Sequence, residues 1–126
     1  MGERKLVSED EWLYRRYYLP EKKYMSPDGT ATSRVFKLRA NKNETELSVD
    51  VRSMTTAEKS VGDKSKFFLF ELPNKVVLEI TETNLLTYHD PLEGGTNDAH
   101  AVIVGMSSED DITPGLLARS SRKVAI

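Results

Sequence analysis

The chain has 126 residues, a length that suits one domain with a real core and leaves no room for two. With 38% hydrophobic and 30% charged residues it lies outside the disordered regime, and the absence of cysteine excludes disulfides, a thiolate nucleophile and cysteine-based zinc sites. Residues 1–52 hold 11 basic and 9 acidic side chains and residues 53–126 hold 7 and 11, so the charge runs from +2 to −4 and no duplex nucleic acid partner is expected.

The first residues lack the apolar run of a signal peptide, no stretch is long enough to span a membrane, and Leu6 stands where myristoylation wants Ser or Thr. The expectation is a cytoplasmic protein without a membrane partner, forming one domain over residues 1–126 with residues 1–8 disordered.

Ser8-Glu9-Asp10-Glu11 reads as a capping box and predicts a short helix over about residues 9–18. Trp12, Tyr14, Tyr17 and Tyr18 suit a pleated surface better, so residues 14–19 fit either element, and Pro20 stops both. Ser26-Pro27-Asp28-Gly29 is a turn. Residues 33–39 read as a strand, and residues 46–52 alternate cleanly, with Leu47, Val49 and Val51 on one face and Ser48, Asp50 and Arg52 on the other. The two segments would pair as an antiparallel hairpin.

Thr55-Thr56-Ala57-Glu58 is a second capping box, and Gly62 falls where a left-handed cap belongs, which predicts a short middle helix. Residues 66–72 and 75–81 read as strands joined at Pro73-Asn74. The run from Phe67 to Phe70 reads as a core strand, and as a route to homodimerisation if it lies at a sheet edge. Residues 100–104 form a last strand closed by Gly105, and Thr113-Pro114 opens a helix over about residues 114–124. This irregular order predicts an α+β fold with a mainly antiparallel sheet, a short N-terminal helix, a short middle helix and a C-terminal helix.

The segment from His89 to Gly105 contains both histidines, three carboxylates and Gly94-Gly95. Histidine is the natural acid, base or metal ligand near neutral pH, so His89, His100 and Asp98 are the candidate catalytic residues. The bland alternative makes His89-Asp90-Pro91 and Asn97-Asp98 simple turns. His89, His100, Asp90, Glu93 and Asp98 could supply metal ligands, but an eleven-residue separation fits no ligand pattern, and neither metal nor other cofactor is predicted. Ser33, Ser48 and Thr96 are the hydroxyls available to a histidine, and none sits in a Gly-x-Ser-x-Gly elbow. Arg15-Arg16 among Tyr14, Tyr17 and Tyr18 could stack a base and hold a phosphate, although packing of the tyrosines explains the same pattern.

The succession Leu13-Tyr14-Arg15-Arg16, Asp28-Gly29, Ser33, Phe36, Leu47-Ser48-Val49-Asp50, Asp90-Pro91, Asn97-Asp98-Ala99-His100-Ala101 and Gly105 resembles a set of small uncharacterised bacterial proteins of similar length. Those proteins often carry proline where Asp98 stands here. The resemblance implies a self-contained bacterial domain and points to Arg15, Ser48, Asp50, Asp90 and His100. A looser similarity to ADP-ribosyltransferase-like toxins rests on residues 13–15 alone, and the glutamate those enzymes use has no clear counterpart.

The expected function is binding, as an accessory protein or a homodimeric ligand-binding domain. Its ligand face comprises Arg15, Arg34, Ser48, Asp50, Asp90 and His100, and its ligand is a small anion or nucleotide. The alternative is a metal-independent phosphoester enzyme in which His100 and His89 share acid and base roles while Arg15 and Arg34 hold the anion.

Overall fold

The computed structural model describes residues 4–80, 83–95 and 97–126, apart from the side chains of Glu21 and Glu93. Its elements in chain order are β1 (Lys5–Leu6), β2 (Trp12–Tyr18), α1 (Glu21–Tyr24), β3 (Leu47–Val51), α2 (Ala57–Val61), β4 (Phe67–Pro73), α3 (Asn74–Glu79), β5 (Leu86–His89), β6 (His100–Val104), α4 (Thr113–Arg119) and β7 (Arg122–Lys123). The strands form one sheet in the order β1-β5-β6-β3-β2-β4-β7. Every neighbouring pair is antiparallel. The fold is therefore α+β around an antiparallel sheet, and no described helix is long and apolar enough to cross a membrane.

The sheet has one fully covered face and one partly covered face. Leu13 and Tyr17 of β2, Leu47, Val49 and Val51 of β3, and Phe68, Phe70 and Leu72 of β4 point into the main core with Val35, Phe36, Val77 and Leu117. On the reverse face only Tyr14, Val61 and Leu69, with Phe67 and Val124 beside them, make a small second cluster under α2. The alternation of β3 places Ser48 and Asp50 on that reverse face, Ser48 exposed and Asp50 half-buried beside α2.

The middle helix forms where the sequence indicates, but its N-cap is Thr56 rather than Thr55, and Gly62 ends it at a positive φ of +67°, outside the left-handed helical region. Thr56 accepts the Lys59 amide at 3.2 Å. Four other expectations are corrected. No helix occupies residues 9–18, because β2 pairs with β4 over seven residues, from Trp12↔Pro73 to Tyr18↔Phe67. The Ser8 hydroxyl accepts only from Asp10 at 3.3 Å, and Glu11 turns away to the Ser53 hydroxyl. The N-terminal helix is instead the single turn α1.

Residues 33–39 are not a strand, and the expected hairpin with residues 46–52 is absent. Val35 and Phe36 are adjacent and both fully buried, which a pleat cannot achieve on one face, and Ser33–Phe36 forms a 3-10 turn. The second of the two expected strands, residues 75–81, is not a strand: Asn74–Glu79 is helical, its buried positions Asn74 and Val77 three apart, and residue 81 lies outside the described residues. The C-terminal helix stops at Arg119. Ser121 is then held by accepting from the Ala31 amide at 3.0 Å while donating to the Ala118 carbonyl, and Arg122 and Lys123 pair with β4.

β4 thus lies between β2 and β7, but β7 pairs with it only at Phe70 and Glu71, with one further bond from the Val124 amide to Leu69, while Phe67 and Phe68 have a strand partner in β2 alone. In the lead-in expected to be disordered, Lys5 and Leu6 pair with His89 and Tyr88 of β5; residues 1–3 lie outside the described residues.

Candidate functional site

β2 and β3 are paired only at Leu13↔Val51 and Tyr14↔Asp50, beyond which the two strands part. Arg15 fills the gap. Its Nε donates to the Val35 carbonyl at 2.8 Å and its Nη1 to the Ser48 carbonyl at 2.9 Å, so a side chain replaces the missing ladder partners. Arg15 as a whole is 8% exposed, and burial pushes its guanidinium pKa down to about 10.

The parting opens a cleft of about 800 Å³ on the reverse face, between β2 and α2 on one side and β3, β6 and the loop before β6 on the other. Its β2 side is cationic and aromatic. The Arg16 guanidinium lies 4.1 Å from the centroid of the Phe67 ring, and Tyr18 packs against the same ring at 5.3 Å. Lys59 of α2 stands at the rim. Among the described residues neither Arg16 nor Lys59 has a carboxylate within ion-pair distance. Arg39 also lines the cleft, but Glu44 accepts from its amide at 2.7 Å and from its Nη2 at 2.8 Å.

The opposite side carries Ser48, Asp50, Asn97, Asp98 and His100. Asp50 is fully engaged, accepting from the Ser60 hydroxyl at 2.6 Å and from Nδ2 of Asn97 at 2.8 Å. His100 pairs across the sheet with Asp50, and its Nδ1 lies 2.8 Å from the Asp90 carbonyl. A carbonyl can only accept, so the proton is on Nδ1 and the neutral ring offers a lone pair at Nε2, which lies 3.4 Å from the Ser48 hydroxyl.

Of the candidate catalytic and ligand residues, Arg15, Ser48, Asp50, Asp98 and His100 meet in this cleft, whereas Asp90, Arg34 and His89 do not. Asp90 supplies its carbonyl to His100 from behind, while its carboxylate accepts from Arg4 at 3.2 Å. Arg34 sits exposed on the 3-10 turn that packs against α4, away from the cleft. His89 pairs across the sheet with Ala101 and so shares its face, opposite to that of His100, and its Nε2 donates to the Asp98 carbonyl at 2.6 Å. The two imidazoles therefore do not face one phosphate from opposite sides. Thr96 lies outside the described residues.

Asn97 closes an Asx turn by accepting from Ala99 at 3.1 Å, as the bland reading has it, and also reaches Asp50. Among the described residues no three His, Asp or Glu side chains gather into a metal-ligand group. Lys59, Ser60, Arg39, Glu44 and Phe67 belong to the cleft without having been singled out. The one signal for Ser60 is its place beside Val61 on the sheet-facing side of α2. Comparison with family models, curated proteins and solved structures finds no match for this chain.

Proposed function

We propose that this chain is a small bacterial binding protein of the cytoplasm whose cleft receives an organic anion. The observation that carries the reading is that two cations of the cleft, Arg16 and Lys59, have no carboxylate within ion-pair distance among the described residues. Arg15 is buried against two neutral carbonyls, and Arg16 rests on an aromatic face, with Lys59 nearby and equally without a carboxylate. A guanidinium stacked on a ring keeps its donors available for a carboxylate or phosphate, and its outer face can stack a planar group. Anionic ligands gain most where cations are not already neutralised, and among the described residues Arg16 and Lys59 meet that condition.

The test is an NMR titration of the 15N-labelled protein with adenosine monophosphate and, separately, with inorganic phosphate. Saturable shifts confined to Arg16, Ser48, Lys59 and His100, lost in Arg16→Ala, are expected. No saturable shift with either probe at millimolar concentration, or shifts unaffected by Arg16→Ala, would remove this function.

A further inference from the structure

We infer that Ser48 and His100 form a nucleophile and base pair, and that the organic anion of the cleft is an ester which this pair cleaves. The inference rests on the binding reading for its substrate and on local geometry for its chemistry. Ser48 pairs with Val102 and His100 with Asp50, which makes Ser48 and His100 diagonal neighbours on one sheet face. The Ser48 side chain is exposed to the cleft, while its own carbonyl is clamped by the buried Arg15. The His100 ring is oriented by its Nδ1 hydrogen bond to the Asp90 carbonyl, so Nε2, 3.4 Å from the Ser48 Oγ, is the basic nitrogen. A nucleophile beside a base whose other nitrogen is fixed by a third group is the minimal arrangement for covalent acyl transfer.

An acyl substrate suits the site better than a phosphoryl one. Asp50 and Asp98 flank the pair, and two carboxylates disfavour a dianionic phosphoryl group at Ser48, whereas an ester carbonyl is neutral. As the Oγ to carbon bond forms, the Ser48 proton passes to Nε2 of His100 and the carbonyl π pair moves onto oxygen. Arg16 and Lys59, which line the same cleft, hold the anionic part of the ester. Collapse breaks the ester bond, and the departing alkoxide leaves as an alcohol with the proton from Nε2. Water then attacks the acyl carbon and gives a proton to Nε2; release of the carboxylic acid returns that proton to Ser48.

The experiment treats the whole protein with a neutral fluorophosphonate probe, whose phosphorus an activated serine attacks with loss of fluoride, and locates the adduct by mass spectrometry. One adduct at Ser48, absent in Ser48→Ala and formed about a hundredfold more slowly in His100→Gln, is expected. A second variant, Ser48→Cys with His100 intact, should be alkylated by iodoacetamide at neutral pH faster than free N-acetylcysteine. No adduct at Ser48, labelling undiminished in Ser48→Ala, or a cysteine no faster than the free thiol overturns the inference. Binding of adenosine monophosphate without an adduct would leave the cleft a binding site and remove the chemistry; an adduct without anion binding would do the reverse.

Discussion

Nη1 of Arg15 and the carbonyl of Ser48 lie 2.9 Å apart, and this contact joins the main core to the cleft. Arg15 shares its strand face with Leu13 and Tyr17, yet its guanidinium ends where β2 and β3 separate. Replacing it with Ala leaves the Val35 and Ser48 carbonyls without donors and opens a void. We expect a loss of about 2–4 kcal/mol, read from the urea midpoint. Arg15→Lys should lose about 1–2 kcal/mol, because an ammonium cannot reproduce the fork that meets both carbonyls.

A second buried polar residue holds the opposite end of the sheet. Asn74 is fully buried, with Nδ2 donating at 3.1 Å to the carbonyls of both Val7 and Ser8 and Oδ1 accepting from the Thr87 hydroxyl at 2.6 Å. It ties the segment after β1 to β5 through one side chain. Asn74→Ala strands those partners in an apolar core and should cost about 3–5 kcal/mol, seen as a lower thermal midpoint in calorimetry. Thr87→Val, which removes a single partner of Asn74, should cost about 1–2 kcal/mol.

Gly105 ends β6 at φ +108°, and a Cβ there would meet the Asn84 carbonyl oxygen at 2.5 Å. Both the backbone conformation and the close approach therefore require glycine. Gly105→Ala should destabilise by about 2–4 kcal/mol in denaturant unfolding, whereas Gly115→Ala, inside α4 with open space around it, should be neutral or stabilising by about 1 kcal/mol.

How much of this architecture the sequence discloses depends on whether a segment's local signal agrees with its tertiary contacts. β3 and α2 are legible because strict alternation and a hydroxyl cap describe the same structures that packing selects. β2 is obscured by a capping box that closes only a turn, since seven paired positions with β4 outweigh one helical start signal. The strand read at residues 33–39 and the one at 75–81 fail because adjacency of apolar residues does not reveal whether both must face one way, as Val35 and Phe36 do. In the site, Ser48, Asp50 and His100 come together because two regular strands fix their register, and periodicity can be read from sequence. The separation of His89 from His100 depends on a one-residue offset between β5 and β6, which no local pattern contains. The Arg16 stack on Phe67 needs the pairing of β2 with β4, a contact between distant segments.

Acid should weaken the rim of the cleft in a defined window. The Arg39 side chain beside Glu44, together with the Arg39 amide, holds the Glu44 carboxyl below the ordinary value of 4.5. The unfolded chain therefore takes up this proton at higher pH than the folded one, so the stabilisation is complete above the ordinary value and is lost as pH falls through the lowered one. Glu44→Gln should be less stable than the parent at pH 7, and the gap should narrow as pH drops below about 4.5, in urea titrations at a series of pH values.

The last prediction separates the positioning role of Asp50 from its charge. Its carboxylate accepts from Ser60 on α2 and from Asn97 in the loop before β6, and so draws both flanks of the cleft onto β3. Asp50→Asn keeps the size and both links, with Oδ1 accepting from Asn97 and the new NH2 donating to the Ser60 hydroxyl, but both bonds lose their charge-assisted strength at a cost of about 1–2 kcal/mol. Charge alone would act the other way, since losing a carboxylate makes the cleft more attractive to an anion. We expect the geometric effect to win: amides of Ser60 and Val61 should exchange with deuterium faster, and adenosine monophosphate should bind more weakly. Tighter binding with unchanged exchange at α2 would show instead that Asp50 acts on the ligand only through its charge.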